Sequence, residues 1–274
     1  MDSIRFSTEA FVTLGIEIFA MVALPIILLI IWKVKTKAKI LPVIVGAVIF
    51  PVFALGLKMI PSYFLMLNGS ELANTVMENL WLQALVGALL AGIFEESGRF
   101  IAFKFILKKC GDRVNAISYG IGHGGFECLY LGYAALVYLV MGIMINNGNG
   151  AALVAGADEY TAAAAVAQMA SAAEMKVGVA FIAIWERLSA LMLHISLSVL
   201  VFAAVKKKGF GWMYPLSILL HSLADFTIGF YTTGVISSVI VLELVMTALS
   251  GACAVIAWRV YKTILAPKPE TIAE

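Results

Sequence analysis

The sequence predicts an all-α fold, a polytopic transmembrane helix bundle of about seven spans, on three observations. Of its 274 residues, 62% are hydrophobic and only 13% are charged, and mean hydropathy is +0.98. A water-soluble domain of this length needs far more polar surface than that. Apolar stretches of about 20 residues recur along the whole chain. The charges between those stretches alternate in sign.

The first span, 11–32, follows Asp2, Arg5 and Glu9 and precedes Lys33, Lys35, Lys37 and Lys39. That order is the reverse of a cleavable leader, so the span is expected to be retained. The second, 41–64, leads to Glu71 and Glu78. The third, 81–103, leads to Lys104, Lys108, Lys109 and Arg113. The fourth, 114–145, is long enough to tilt or break. Residues 146–176 contain an NNGNG run and an alanine-rich stretch from Tyr160 to Ala173. They read as an external loop with a short surface helix, a solvated connector before a lid.

The fifth span, 177–204, is followed by Lys206, Lys207 and Lys208. Spans at 212–234 and 236–258 share an uncharged link, and Arg259, Lys262 and Lys268 close the pattern. Fourteen of the 19 basic residues fall on one side. The positive-inside rule then puts the N-terminus outside and the C-terminus inside, a parity that seven spans satisfy. The expectation is a single integral membrane domain over 1–274, in the cell membrane and, in a prokaryote, the cytoplasmic one, with its motif-bearing helices between 81 and 234. The net charge of +2 reports topology and gives no sign of a nucleic-acid partner. Cys110, Cys128 and Cys253 are too scattered for a thiolate zinc site or a disulfide framework.

A charge at the bilayer centre costs from about 2.5 kcal/mol upward, so each ionisable residue there is a functional candidate. Seven of the 17 acids fall inside spans: Glu17, Glu95, Glu96, Glu127, Glu186, Asp225 and Glu243. Arg99, Arg187 and all three histidines join them. Counted from the nearest basic cluster, Glu95, Glu96, His123, His194 and His221 lie eight to thirteen residues deep, roughly 12–20 Å at 1.5 Å per residue. Four helices therefore carry His or Glu at one level, which is economical only if the side chains converge on one polar site reached from the cytoplasm.

Local spacing refines that site. Arg99 lies three and four residues from the two acids and can neutralise one carboxylate while the other does chemistry. His123 and Glu127 share a helix face at i,i+4, as do His221 and Asp225; Glu186, Arg187 and His194 lie two turns apart. Imidazoles and carboxylates converging from different helices suit a divalent metal, zinc by donor type, with a further Glu to accept a proton from bound water. Gly122, Gly124 and Gly125 permit close helix approach around His123, or a break that exposes backbone to a cavity. Glu186 and Arg187 read as supporting residues, and Glu17 and Glu243, with no histidine in their own spans, as structural or gating ones. The same elements also fit a proton- or metal-coupled small-solute transporter, or a non-catalytic membrane scaffold or immunity protein.

E-E-S-G-R (Glu95 to Arg99), H-G-G-F-E (His123 to Glu127), E-R with a later His (Glu186, Arg187, His194) and H-S-L-A-D (His221 to Asp225) resemble the motif set of YhfC-type intramembrane metalloproteases. That group is similar to type II CAAX prenyl proteases, PrsW proteases and the APH-1 subunit of gamma-secretase. The resemblance implies a hydrolase of membrane-associated protein or peptide substrates. Glu95 or Glu96 would be the base, Arg99 its partner, and His123, Glu127, His194, His221 and Asp225 the candidates for binding metal. In the second motif the CAAX pattern ends on His, whereas here His stands first and Glu127 last, so both remain ligand candidates. The first motif is one residue shorter than the CAAX form, and the prenyl-peptide substrate is not carried over.

Overall fold

The computed structural model describes residues 3–267. Asp2 and Lys268, two of the charges used for orientation, lie outside them. Among the described residues there is no strand, and nine helices account for the architecture. They are α1 (Thr8–Thr36), α2 (Leu41–Leu67), α3 (Glu71–Glu78), α4 (Leu80–Ile106), α5 (Val114–Asn146), α6 (Glu159–Ala173), α7 (Val177–Lys206), α8 (Met213–Thr232) and α9 (Val239–Thr263). Six of these, α1, α2, α4, α5, α7 and α9, are long and apolar enough to cross a membrane. The sixth of the seven expected spans corresponds to α8, which is not among those six. It carries His221, Asp225, Ser217, Ser222 and Thr227 within its 20 residues, and this polar load lowers its hydropathy.

Helix starts and irregular turns have local causes. Asn79 Oδ1 accepts from the backbone N–H groups of Trp81 and Leu82 at 3.0 and 3.1 Å, which opens α4 cleanly. Within α2 the coil widens to π-type turns over Pro51–Leu57 and Tyr63–Leu67. Pro51 has no N–H to give to the preceding turn. The 146–176 connector contains a 3₁₀ turn (Gly150–Val154) and then α6, in line with the expected short helix.

The chain packs as two compact units, and the division falls within α1, α5 and α7. The first comprises residues up to Ile26 and Glu127–Arg187. Its core gathers Phe6, Leu14, Ile145 and Met169. Asn146 locks the N-terminal segment to the end of α5, its Oδ1 accepting from Phe6 N at 2.9 Å and its Nδ2 donating to Phe6 O at 3.0 Å.

The second unit comprises Ile27–Phe126 and Leu188 onward, with a core that includes Phe103, Tyr119, Leu197 and Phe202. Lipid gives helices no hydrophobic reason to associate, so close backbone approach through small residues carries the packing. A Cβ on Gly92 of α4 would come within 2.8 Å of the Ile218 carbonyl oxygen on α8. One on Gly120 of α5 would come within 2.6 Å of Ile195 Cα on α7, and one on Gly122 would strike the Val43 backbone on α2. The glycines near His123 thus do what their spacing suggests, holding α5 against two neighbours.

Candidate metal centre

Seven candidate residues of the second unit belong to four helices: Glu95, Glu96 and Arg99 on α4, His123 on α5, His194 on α7, and His221 and Asp225 on α8. The first six are buried, with Glu96, Arg99 and His123 at 0% exposure. Asp225 is the open member, its side chain 25% exposed.

Adjacent on α4, Glu95 and Glu96 point about 100° apart around the helix and meet different partners. Glu96 is fully engaged. Its Oε1 and Oε2 accept from Arg99 Nη1 at 2.8 and 3.0 Å, and Oε1 also meets His221 Nδ1 at 2.7 Å. Glu95 holds His123 Nε2 through Oε2 at 3.1 Å, and the same oxygen lies 3.8 Å from His221 Nε2. Arg99 reaches onward to His194 Nδ1 at 3.2 Å. The three imidazoles form a run, with ring centroids 5.0 Å apart for His123 and His194 and 5.5 Å for His194 and His221.

Aromatic rings fix the His123 imidazole. Phe50 meets it edge-on at 5.1 Å and Tyr119 stacks on it at 5.9 Å. Neither was singled out from the sequence, although Tyr119 lies four residues before His123 and so on the same helix face. Phe50 comes from a separate helix, and no local pattern points to it.

One donor atom each from Glu95, His194 and His221 lie within 4.8 Å of one another, so the three can hold a single ion. The hydrogen bonds test that fit. On His221, Nδ1–H donates to Glu96, which leaves the Nε2 lone pair directed toward Glu95 and Asp225, 3.8 Å from each. A carboxylate behind a metal-binding imidazole is the usual way such a ring is oriented. Arg99 can only donate, so His194 Nδ1 accepts and the neutral ring carries its proton on Nε2. That one lone pair comes free for a metal only when Arg99 withdraws or the ring turns over. The donor set thus fits a divalent ion at His221 and Glu95 directly, and at His194 after one rearrangement.

Three further sequence candidates lie in the first unit. Arg187 forms hydrogen bonds with both carboxylate oxygens of Glu186 and approaches Glu127 Oε1 at 3.2 Å. The three cysteines are free and buried.

A family model described as YhfC intramembrane metalloprotease matches residues 20–246. The uncharacterized membrane protein YhfC of Bacillus subtilis (strain 168) is 31% identical over 252 residues, a stretch covering 89% of this chain and 94% of that relative. No solved structure matches. With the model covering most of its length, and with its multi-pass helices and buried Glu/His group, the chain belongs to the YhfC intramembrane metalloprotease family.

Proposed function

We propose that the chain hydrolyses a peptide bond of a membrane-associated protein or peptide, with Glu95 as general base. The observation that carries this reading is the division of labour between the two neighbouring acids. Glu96 has both oxygens taken up by Arg99 and His221, whereas Glu95 has one oxygen bonded to His123 and the other available to a water.

His194 and His221, with Asp225 beside His221, would hold a divalent ion and leave Glu95 as the base, and imidazole with carboxylate is a donor set that suits zinc. When bound, the ion supplies Lewis acidity toward the substrate carbonyl and toward water. Glu95 takes a proton from water as the water oxygen bonds to the carbonyl carbon. It then returns that proton to the amide nitrogen as the C–N bond breaks, leaving a free amine and a carboxylate. His123 fixes the Glu95 carboxylate during both transfers. Glu96 keeps His221 in one tautomer, and Arg99 holds the Glu96 carboxylate in place. The bundle excludes bulk water, which strengthens each of these interactions.

The test compares new peptide termini in membranes from cells carrying wild-type or Glu95→Gln protein at equal folded abundance. Termini that depend on wild type are expected, because removing a general base costs about 10²–10⁴ in rate. Purified wild-type protein should hold close to one zinc per chain, and His221→Gln should lose most of it. Identical terminus profiles, where the protein is needed for a cellular role, would instead favour a transporter or scaffold.

A further inference from the structure

Among the intramembrane acids that the mechanism leaves unused, Glu17 and Glu186 line one cavity. This cavity, of about 560 Å³, is built entirely from the first unit, within the size range of small-molecule sites. Single faces of α1, α5, α6 and α7 wall it. Leu14, Leu131 and Val179 make the walls apolar, while Glu17, Glu186 and Tyr138 supply polar groups. Gln168 and Ser171, both exposed, line it from α6.

The two acids share a depth. Glu17 is nine residues into α1 and Glu186 nine residues into α7, about 13 Å along each helix. The two helix starts are tied at one level, because Glu9 accepts from Lys176 Nζ at 3.1 Å and from Val177 N at 3.2 Å. The two acids differ in their partners. Glu186 is paired with Arg187, whereas Glu17 has no hydrogen-bond or ion-pair partner among the described residues. An ionised carboxylate in a membrane cavity without a partner is costly unless it takes up a proton or something positive joins it.

We propose that this cavity is a binding site for a lipophilic organic cation, its charged head between Glu17 and Glu186 and its apolar body against the walls. A bare inorganic ion fits less well, since hard cations require several oxygen ligands at once and most of this lining is hydrocarbon. The proposal stands apart from the hydrolytic reading, because none of its residues belongs to the Glu95 cluster.

The experiment measures tetraphenylphosphonium binding to the full-length protein in lipid nanodiscs by equilibrium dialysis, with empty nanodiscs and tetraphenylborate as controls. The two probes share a shape and differ in sign of charge. Saturable binding near one per chain is expected for the cation alone. Glu17→Gln should weaken it at least about tenfold, the order expected when one partner of a buried charge pair is removed. Ala183→Leu, which keeps the charges and fills the lining, should weaken it as well, and thermal unfolding checks that each variant is folded. Equal binding of the two probes, binding no greater than to empty nanodiscs, or wild-type affinity in both variants would overturn the proposal.

Discussion

Two clusters of intramembrane acids differ in how they are neutralised. Around Glu95 and Glu96, three histidines and Arg99 knit the carboxylates into a group whose principal members are all under 7% exposed. Around Glu186, a single arginine serves two carboxylates that remain 23% and 24% exposed. An imidazole can donate, accept or bind a metal, so the first cluster can change its proton count without losing its geometry. A guanidinium can only donate and keeps its charge, so the second cluster is a fixed counterion beside a cavity. The contrast suits the first to the proposed proton transfer and the second to the proposed recognition by charge.

The comparison can be broken most severely at Arg99. Arg99→Leu should destabilise the protein by about 3–5 kcal/mol, because the fully buried Glu96 loses its guanidinium and keeps only the His221 imidazole; denaturant unfolding in detergent measures it. Arg187→Leu should cost less, about 1–2 kcal/mol in the same assay, since Glu127 and Glu186 retain partial exposure. If the two losses are equal, the distinction between a sealed and an open cluster is wrong.

Helix spacing offers a further cut. Gly92→Ala places a methyl within 2.8 Å of the Ile218 carbonyl oxygen, and the overpacking should cost about 1–3 kcal/mol. Gly87→Ala on the same helix, where a Cβ meets nothing within 4 Å, should be neutral or stabilising.

The smallest effect belongs to the connector. Asp158 caps α6, accepting from Thr161 N at 2.9 Å and from the Thr161 hydroxyl at 2.7 Å, and the backbone bond first and the hydroxyl second hold its carboxyl below the usual range. A lowered folded-state pKa means that this contribution is complete above the unfolded-state value and disappears as pH falls through the folded one. Hydrogen exchange at the Thr161 amide, corrected for its intrinsic pH dependence, should lose protection at acid pH in wild type. In Asp158→Ala that acid-dependent change should be absent.

Much of this architecture was legible because membrane energetics is severe. Buried charge is costly enough that a shared depth for His123, His194, His221 and Glu95 is informative without any knowledge of helix packing. The basic clusters marked span ends close to those of α1, α4 and α7. What spacing cannot deliver is the identity of long-range partners. Glu95 and Glu96 are neighbours whose roles separate only through His123 on α5 and His221 on α8. Arg187 lies sixty residues from Glu127, so their ion pair has no local signature. The cavity beside Glu17 is equally hidden, because it takes shape only when four helices leave space between their faces.

The chain has three histidines, and all three belong to the same buried cluster. An imidazole-directed acylating reagent therefore has nowhere else to react at a histidine, and its progress becomes a clock for the opening of that cluster. At low reagent the rate should rise with concentration; at high reagent it should level off at the rate with which the helices part. That plateau sets an upper bound on how often a substrate can enter, and it can be measured before any substrate is known.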